Sequence, residues 1–288
     1  MRGISEHTPS TVRVNNRRLL LNHFVESESL IVSQIQQDIS LSKTTLMKIV
    51  DYLLERGLIL ESGKVSSTEV GGRKPLSYRF NADYGYCIAF HIFPDELYSV
   101  ITDLRISIRA AHSEPLHPDI SFEDTVRLMI RSVSILQTVI GTTVDRIIGI
   151  AVGSHGLTNY EEGTTRISPH FKNWPKEARI RDSLAQAFPQ IPHIVVDNQI
   201  RFQALAEQTR GIARGLRNLV VIEAGIGLVA GIIVKDEIKR GSHSIAGEIG
   251  HMVLAPMSEE ICACGAKGCF ESMVSVERVL RIATTWRS

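Results

Sequence analysis

Gly247-Glu248-Ile249-Gly250-His251, followed by Cys262-Ala263-Cys264-Gly265-Ala266-Lys267-Gly268-Cys269-Phe270-Glu271, is the stretch on which the reading of this chain turns. Three of the four cysteines lie in it; the fourth is Cys87. In a reducing compartment such a cluster points to a metal site rather than a disulfide framework. Gly265 and Gly268 permit the tight turns that fold three sulfurs around one ion. One imidazole and three thiolates close a tetrahedral zinc shell with no open position, which is a structural and not a hydrolytic site. On spacing alone two readings stand: zinc held by His251, Cys262, Cys264 and Cys269, or buried free cysteines beside an unrelated histidine.

Outward from this stretch, 288 residues are too many for one small core, so two or more domains are expected. The chain is 43% hydrophobic and 22% charged, ordinary for a globular protein. No apolar run is long enough to span a bilayer. Met1–Ser10 is polar and has no apolar core of a secretory signal, so a cytoplasmic protein is expected. Residues 1–80 carry eleven Lys/Arg against eight Asp/Glu, and the remainder is weakly acidic. That asymmetry permits nucleic-acid binding by the first part.

Residues 1–11 are polar and aperiodic and are expected to be disordered. Helical patterning follows over Val12–Val25 and Val32–Ser40. A third helix begins after Ser42, a good N-cap, and carries Leu46, Ile49, Val50, Leu53 and Leu54 on one face until Gly57 ends it. Leu58–Leu60 and Leu76–Phe80 read as strands, with Gly63 in a turn region. Three helices and a two-stranded wing over 12–82 make a winged helix-turn-helix. Its third helix would carry Ser42, Lys43, Thr44, Thr45 and Lys48 to base edges and phosphates of a DNA operator. The wing, Gly71-Gly72-Arg73-Lys74-Pro75, brings Arg73 and Lys74 to phosphates or the minor groove. The alternative is a plain three-helix bundle with a solvated charge pair.

Beyond Asp83 strand-like runs (Tyr86–Phe90, Leu97–Thr102, Ile147–Val152, Ile194–Val196) alternate with helical ones (Phe122–Val139, Arg179–Phe188, Ile200–Thr209). Leu219–Ile222 and Gly227–Val234 begin a second segment of the same kind. The alternation predicts an α/β domain over 83–288, with the boundary near Asn81–Tyr84.

Gly247–His251 with Cys262-x-Cys264-Gly-x-x-Gly-Cys269-x-Glu271 resembles the signature and zinc motif of the ROK family (repressors, open reading frames and sugar kinases). The N-terminal module ending in Gly-Gly-Arg-Lys-Pro is similar to that of the family's repressors. The resemblance implies a two-lobed actin/hexokinase-like α/β domain with a sugar in the cleft, and His251 as the fourth zinc ligand. Carried over residue by residue, it implies sugar contacts by Asn198, Glu248, His251 and Glu271. It also implies that the chain, ending at Ser288, stops short of the family's usual end, leaving apolar surface to be covered by dimerisation or by further chain.

Against the same pattern, the catalytic machinery is missing. Gln199 stands where a ROK kinase has its carboxylate general base, and an amide cannot take the proton; Asp197 is one step out of register. The first phosphate loop is replaced by His91-Ile92-Phe93-Pro94-Asp95, which adds bulk and removes a backbone donor. The second reads Gly225-Ile226-Gly227-Leu228-Val229, without the hydroxyl and the third glycine. These residues imply a sugar-responsive, DNA-binding regulator, not an enzyme, acting as a dimer or higher oligomer. The alternatives are a sugar kinase with an appended DNA-binding domain, and a regulator whose second domain binds no sugar.

Overall fold

The computed structural model describes residues 9–64, 75–168, 170–225, 227–262 and 264–285. The chain divides into two compact units, Met1–Tyr86 with Thr102–Ser107, and Cys87–Ile101 with Ile108–Ser288.

The first unit runs α1 (Pro9–Glu26), β1 (Leu30–Ile31), α2 (Val32–Asp38), α3 (Lys43–Glu55), β2 (Ile59–Lys64) and β3 (Leu76–Phe80). Its strands form an antiparallel sheet in the order β1-β3-β2. Pro9 opens α1, where a proline's missing N–H costs nothing, so the helix begins inside the segment expected to be disordered. Ser42 caps α3 by accepting the Thr45 N–H at 3.2 Å. Gly57, at φ +68°, ends it in a Schellman turn: Leu58 N–H donates to Leu53 O and Gly57 N–H to Leu54 O. The α3 face of Leu46, Ile49, Val50 and Leu53 is buried against Leu20, Phe24, Ile35, Ile59, Tyr78 and Phe80. Gly63 is not in a turn: it lies within β2, where the register shifts after Glu61 and the backbone takes φ +102°. The expected wing tip, with Arg73 and Lys74, lies outside the described residues.

Thr102–Ser107 was not anticipated in this unit. Leu104 packs on its core, and the Leu104 N–H donates to Ala82 O at 3.0 Å. The Arg105 guanidinium donates to Phe24 O and Ser27 O, at 3.1 and 2.6 Å, covering carbonyls that the end of α1 leaves open.

The second unit holds a five-stranded sheet in the order β10-β7-β4-β5-β6, from β4 (Tyr86–Ile92), β5 (Glu96–Asp103), β6 (Ile108–Pro115), β7 (Ile147–Ser154) and β10 (His193–Asn198). β7 and β10 are parallel, Asn198 pairing with Ser154 at their ends. Helices α4 (Phe122–Ile140) and α5 (Ile180–Ala187) and the small hairpin β8 (Leu157–Asn159)–β9 (Thr164–Ile167) accompany it. α6 (Gln199–Thr209) leads to an antiparallel sheet ordered β11-β12-β13, from β11 (Asn218–Ala224), β12 (Leu228–Val234) and β13 (Glu237–Ile238). α6 lies so close to β12 that a Cβ on Gly231 would stand 2.4 Å from Ile200 O. A 3₁₀ turn (Ile249–His251), α7 (Phe270–Val274) and α8 (Val276–Thr285) follow. Among the described residues no helix is long and apolar enough to cross a membrane.

Candidate metal centre and ligand cleft

The cysteine loop folds as its glycines require. Gly268 takes φ +70°, and a Cβ there would meet Ala255 O at 1.9 Å. Its carbonyl accepts the Leu254 and Ala255 N–H groups at 3.0 and 3.2 Å, and Cys262 N–H donates to Ala266 O. These turns bring one donor atom each of His251, Cys262, Cys264 and Cys269 within 4.8 Å of one another. The Cys264 and Cys269 sulfurs are 3.7 Å apart, as are the Cys262 sulfur and His251 Nδ1. Cys262 and Cys269 are buried, His251 and Cys264 exposed. Burial and the neighbouring thiols push the Cys269 thiol up to about 12. Burial also raises Cys262, while the backbone at Ala266 lowers Cys264; with one imidazole and three sulfurs converging, the group can hold a metal ion.

Glu248 is set by Gly247, whose φ is +100° and whose Cβ would lie 2.0 Å from Ala230 O. Burial raises the Glu248 carboxyl pKa, a neighbouring Glu271 adds to the rise, and His251 and Arg201 oppose it. Glu271, on α7, accepts the Leu228 N–H at 2.9 Å and lies 3.9 Å from the Cys262 sulfur. It thereby ties the start of β12 to the cysteine loop.

Asn198 is occupied by the protein itself. Its Oδ1 accepts the Ile200 N–H at 3.1 Å as the cap of α6, and its Nδ2 donates to Gly156 O at 2.9 Å. Asp197 is fully buried and clamped: Oδ1 accepts from Asn198 N–H and Arg201 at 2.8 and 2.7 Å, and Oδ2 from Arg240. Arg201, also buried, donates further to Thr158 O and Ser244 O. Both oxygens of Asp197 are therefore engaged within the protein, and neither is left facing a ligand. Gln199 occupies the first turn of α6 and donates to Glu223 Oε2 at 2.7 Å, while its Oε1 accepts from Gln203.

Around these groups stands a set of rings that sequence patterning did not single out as a site. His91, at the end of β4, stacks on Phe93 with centroids 3.7 Å apart. His155, just past β7, lies 5.6 Å from His91 and 5.5 Å from His170. Burial depresses all three histidines; His155, repelled as well by the other two, falls to about 4. Glu223 acts on His91 and His155 and Glu271 on His170, each in the opposite sense. Phe93 thus forms part of an aromatic wall; Ile226 lies outside the described residues. A broad open depression lined by Arg166, Phe171, Lys172, Trp174 and Lys176 lies elsewhere and includes none of the expected ligand residues.

In the first unit Ser42, Lys43, Thr44 and Lys48 are exposed at the start of α3. Thr45 is half-buried, and its hydroxyl is paired with that of Ser42 at 2.9 Å, so these two serve the cap first.

Two sheets joined through α6, with the glycine-led turn Gly247–His251 beside a cysteine loop, define the actin/hexokinase-like class of sugar-kinase folds. The ROK family model matches residues 98–287, and the chain belongs to the ROK family. It is 27% identical to the xylose repressor of Caldicellulosiruptor bescii over 93% of its own length and 65% of the repressor's. Among solved structures it is similar to a ROK family transcriptional regulator, a homolog of the E. coli MLC protein, at TM-score 0.72 and 23% identity, over 89% of this chain and 63% of that one. It is also similar to the ROK family glucokinase from Streptomyces griseus, solved with glucose and AMPPNP, at TM-score 0.59 and 24% identity, over 70% of this chain and 61% of that one. The chain therefore spans just under two thirds of the length of these relatives.

Proposed function

We propose that the chain acts in a sugar-responsive transcription regulator of carbohydrate genes. Its first unit acts as a winged helix-turn-helix on an operator, and its second binds a sugar without phosphorylating it. The observation that carries this reading is the state of the two candidate bases: Gln199 is an amide bonded to Glu223, and Asp197 is sealed between Arg201 and Arg240. The first has no basic oxygen for a sugar proton, and both oxygens of the second are already bonded within the protein. The likeness to a xylose repressor over most of the chain supports the same reading.

For the cluster of His251, Cys262, Cys264 and Cys269 we favour zinc. A tetrahedron with bonds of about 2.3 Å has edges of about 3.8 Å, and the separations of 3.7 Å fit it. Zinc there has no open coordination position; it would hold the turn after Gly247 against α7. Three closely set free cysteines suit a reducing cytoplasm.

A single winged helix contacts few phosphates, so a dimer on a two-fold related operator is expected. The test is binding of duplexes selected by the protein from a random-sequence pool. Lys43→Ala should weaken binding at every sequence and reduce the slope of log affinity against log salt by about one. Failure to select any duplex contradicts the reading.

A further inference from the structure

The ring cluster of His91, Phe93, His155 and His170 has no part in the metal centre, in α6 capping or in the Asp197 clamp. The Nε2 atoms of His91 and His155 are both buried, and among the described residues neither has a hydrogen-bonding partner. Buried polar nitrogens without partners are uncommon and costly, and a bound ligand can supply the bonds they lack. The amide of Asn198 fastens Gly156, the residue after His155, and so positions the turn that carries the imidazole.

We propose that His91 and His155, with His170 beside them, read the hydroxyls of the cleft ligand, and that this ligand is an uncharged sugar rather than a sugar phosphate or sugar acid. The proposal rests on the regulator reading above and names the class of its effector. The first argument is the chemistry of the ring. A neutral imidazole offers one donor and one acceptor, and a hydroxyl complements both, whereas a phosphate or carboxylate only accepts. Burial and mutual repulsion keep these rings neutral. The second argument is charge. Glu223 acts on His91 and His155 and Glu271 on His170, while Arg201 and Arg240 are already bound to Asp197. The acidic groups acting on the rings are these two carboxylates, so an anionic ligand meets a repulsive field. The third is shape. Phe93 stacks on His91 with an apolar ring, and that ring offers an added phosphoryl group no donor.

The experiment is isothermal titration of the purified 288-residue chain at constant pH and salt, with thermal shift in parallel. The probes are D-xylose, D-glucose and N-acetyl-D-glucosamine against D-glucose 6-phosphate, N-acetyl-D-glucosamine 6-phosphate and D-gluconate. A free sugar is expected to bind, and every anionic probe to bind at least about tenfold more weakly. His155→Leu should cost about tenfold in affinity, the loss that one hydrogen-bonding partner produces. His155→Asn, which keeps a donor and an acceptor, should cost less, and His91→Leu should behave as His155→Leu does. Each variant is first shown to be folded by near-ultraviolet circular dichroism. An anionic probe that binds more tightly than its free sugar overturns the proposal. So does a free sugar whose affinity falls with Glu248→Ala but not with folded His155→Leu or His91→Leu; the regulator reading would survive that result. Absence of binding by every probe overturns both.

Discussion

Gln199 and Glu223 are joined by a hydrogen bond of 2.7 Å, from the amide nitrogen of the first to Oε2 of the second. The bond links the start of α6 to β11 at the place where a phosphoryl-transfer base would have to work. It needs an amide: a carboxylate at 199 would meet Glu223 as a like charge. Gln199→Asp should therefore not create a kinase. It should lower stability by about 1–3 kcal/mol through the lost bond and the new repulsion, and show no phosphorylation of D-glucose or D-xylose with ATP in a coupled assay. Turnover by this variant would mean that only the missing base separates the chain from an enzyme.

Asp197 is paired with two guanidiniums at once. Arg201 and Asp197 are both almost wholly buried, and removing one partner leaves an uncompensated charge. Asp197→Asn is expected to cost about 3–5 kcal/mol, read as a lower midpoint in urea. Arg240→Met should cost clearly less, because Arg240 is partly exposed and Asp197 keeps Arg201. Equal losses in the two variants would show that the clamp does not work as described.

Zinc should be present at one ion per chain by elemental analysis. Chelation should lower the melting temperature, since metal-binding free energy at such a site is folding free energy. Cys264→Ser should lose the stoichiometric metal, while Cys87→Ser, outside the cluster, should retain it. A metal-free protein with unchanged melting temperature would contradict the assignment.

How much of this was legible depended on how far apart in the chain the partners lie. The three cysteines sit in one short stretch whose glycines advertise the turns, and the α3 stripe repeats with helical period, so both could be read directly; His251 joined the cysteines only through the resemblance. The cleft could be read only in part. Gln199 and Asp197 stood out against the resemblance, but Glu223, Arg240, His91, His155 and His170 come together from separate strands and loops, and no local spacing announces them. The i,i+4 spacing of Asp197 and Arg201 was the one local signal of the clamp. β6, β8 and β9 were missed because their apolar alternation is weak. Thr102–Ser107 was missed because a turn gives no sign of the core it will join.

The histidine cluster sets a pH dependence. His155 ionises near 6.5 when unfolded and at about 4 in the fold, so between these values the unfolded state binds more protons. Stability is then full above pH 6.5 and declines as pH falls toward 4. His91 and His170, shifted in the same direction, add to the decline. Acid also protonates the metal ligands, so the informative quantity is a difference: wild type should lose more stability than His155→Gln over this window. Parallel curves for the two proteins would remove His155 from the account.

The most direct test of the account is operator affinity measured by fluorescence anisotropy, with a duplex selected by the protein, at fixed salt, with and without a saturating sugar shown by titration to occupy the cleft. The account predicts a change of about fivefold or more, the lower end of ordinary coupling between sites, with no sugar phosphate formed in the same sample when ATP is added. An affinity that stays the same with the cleft demonstrably filled, or a phosphorylated product, would contradict it.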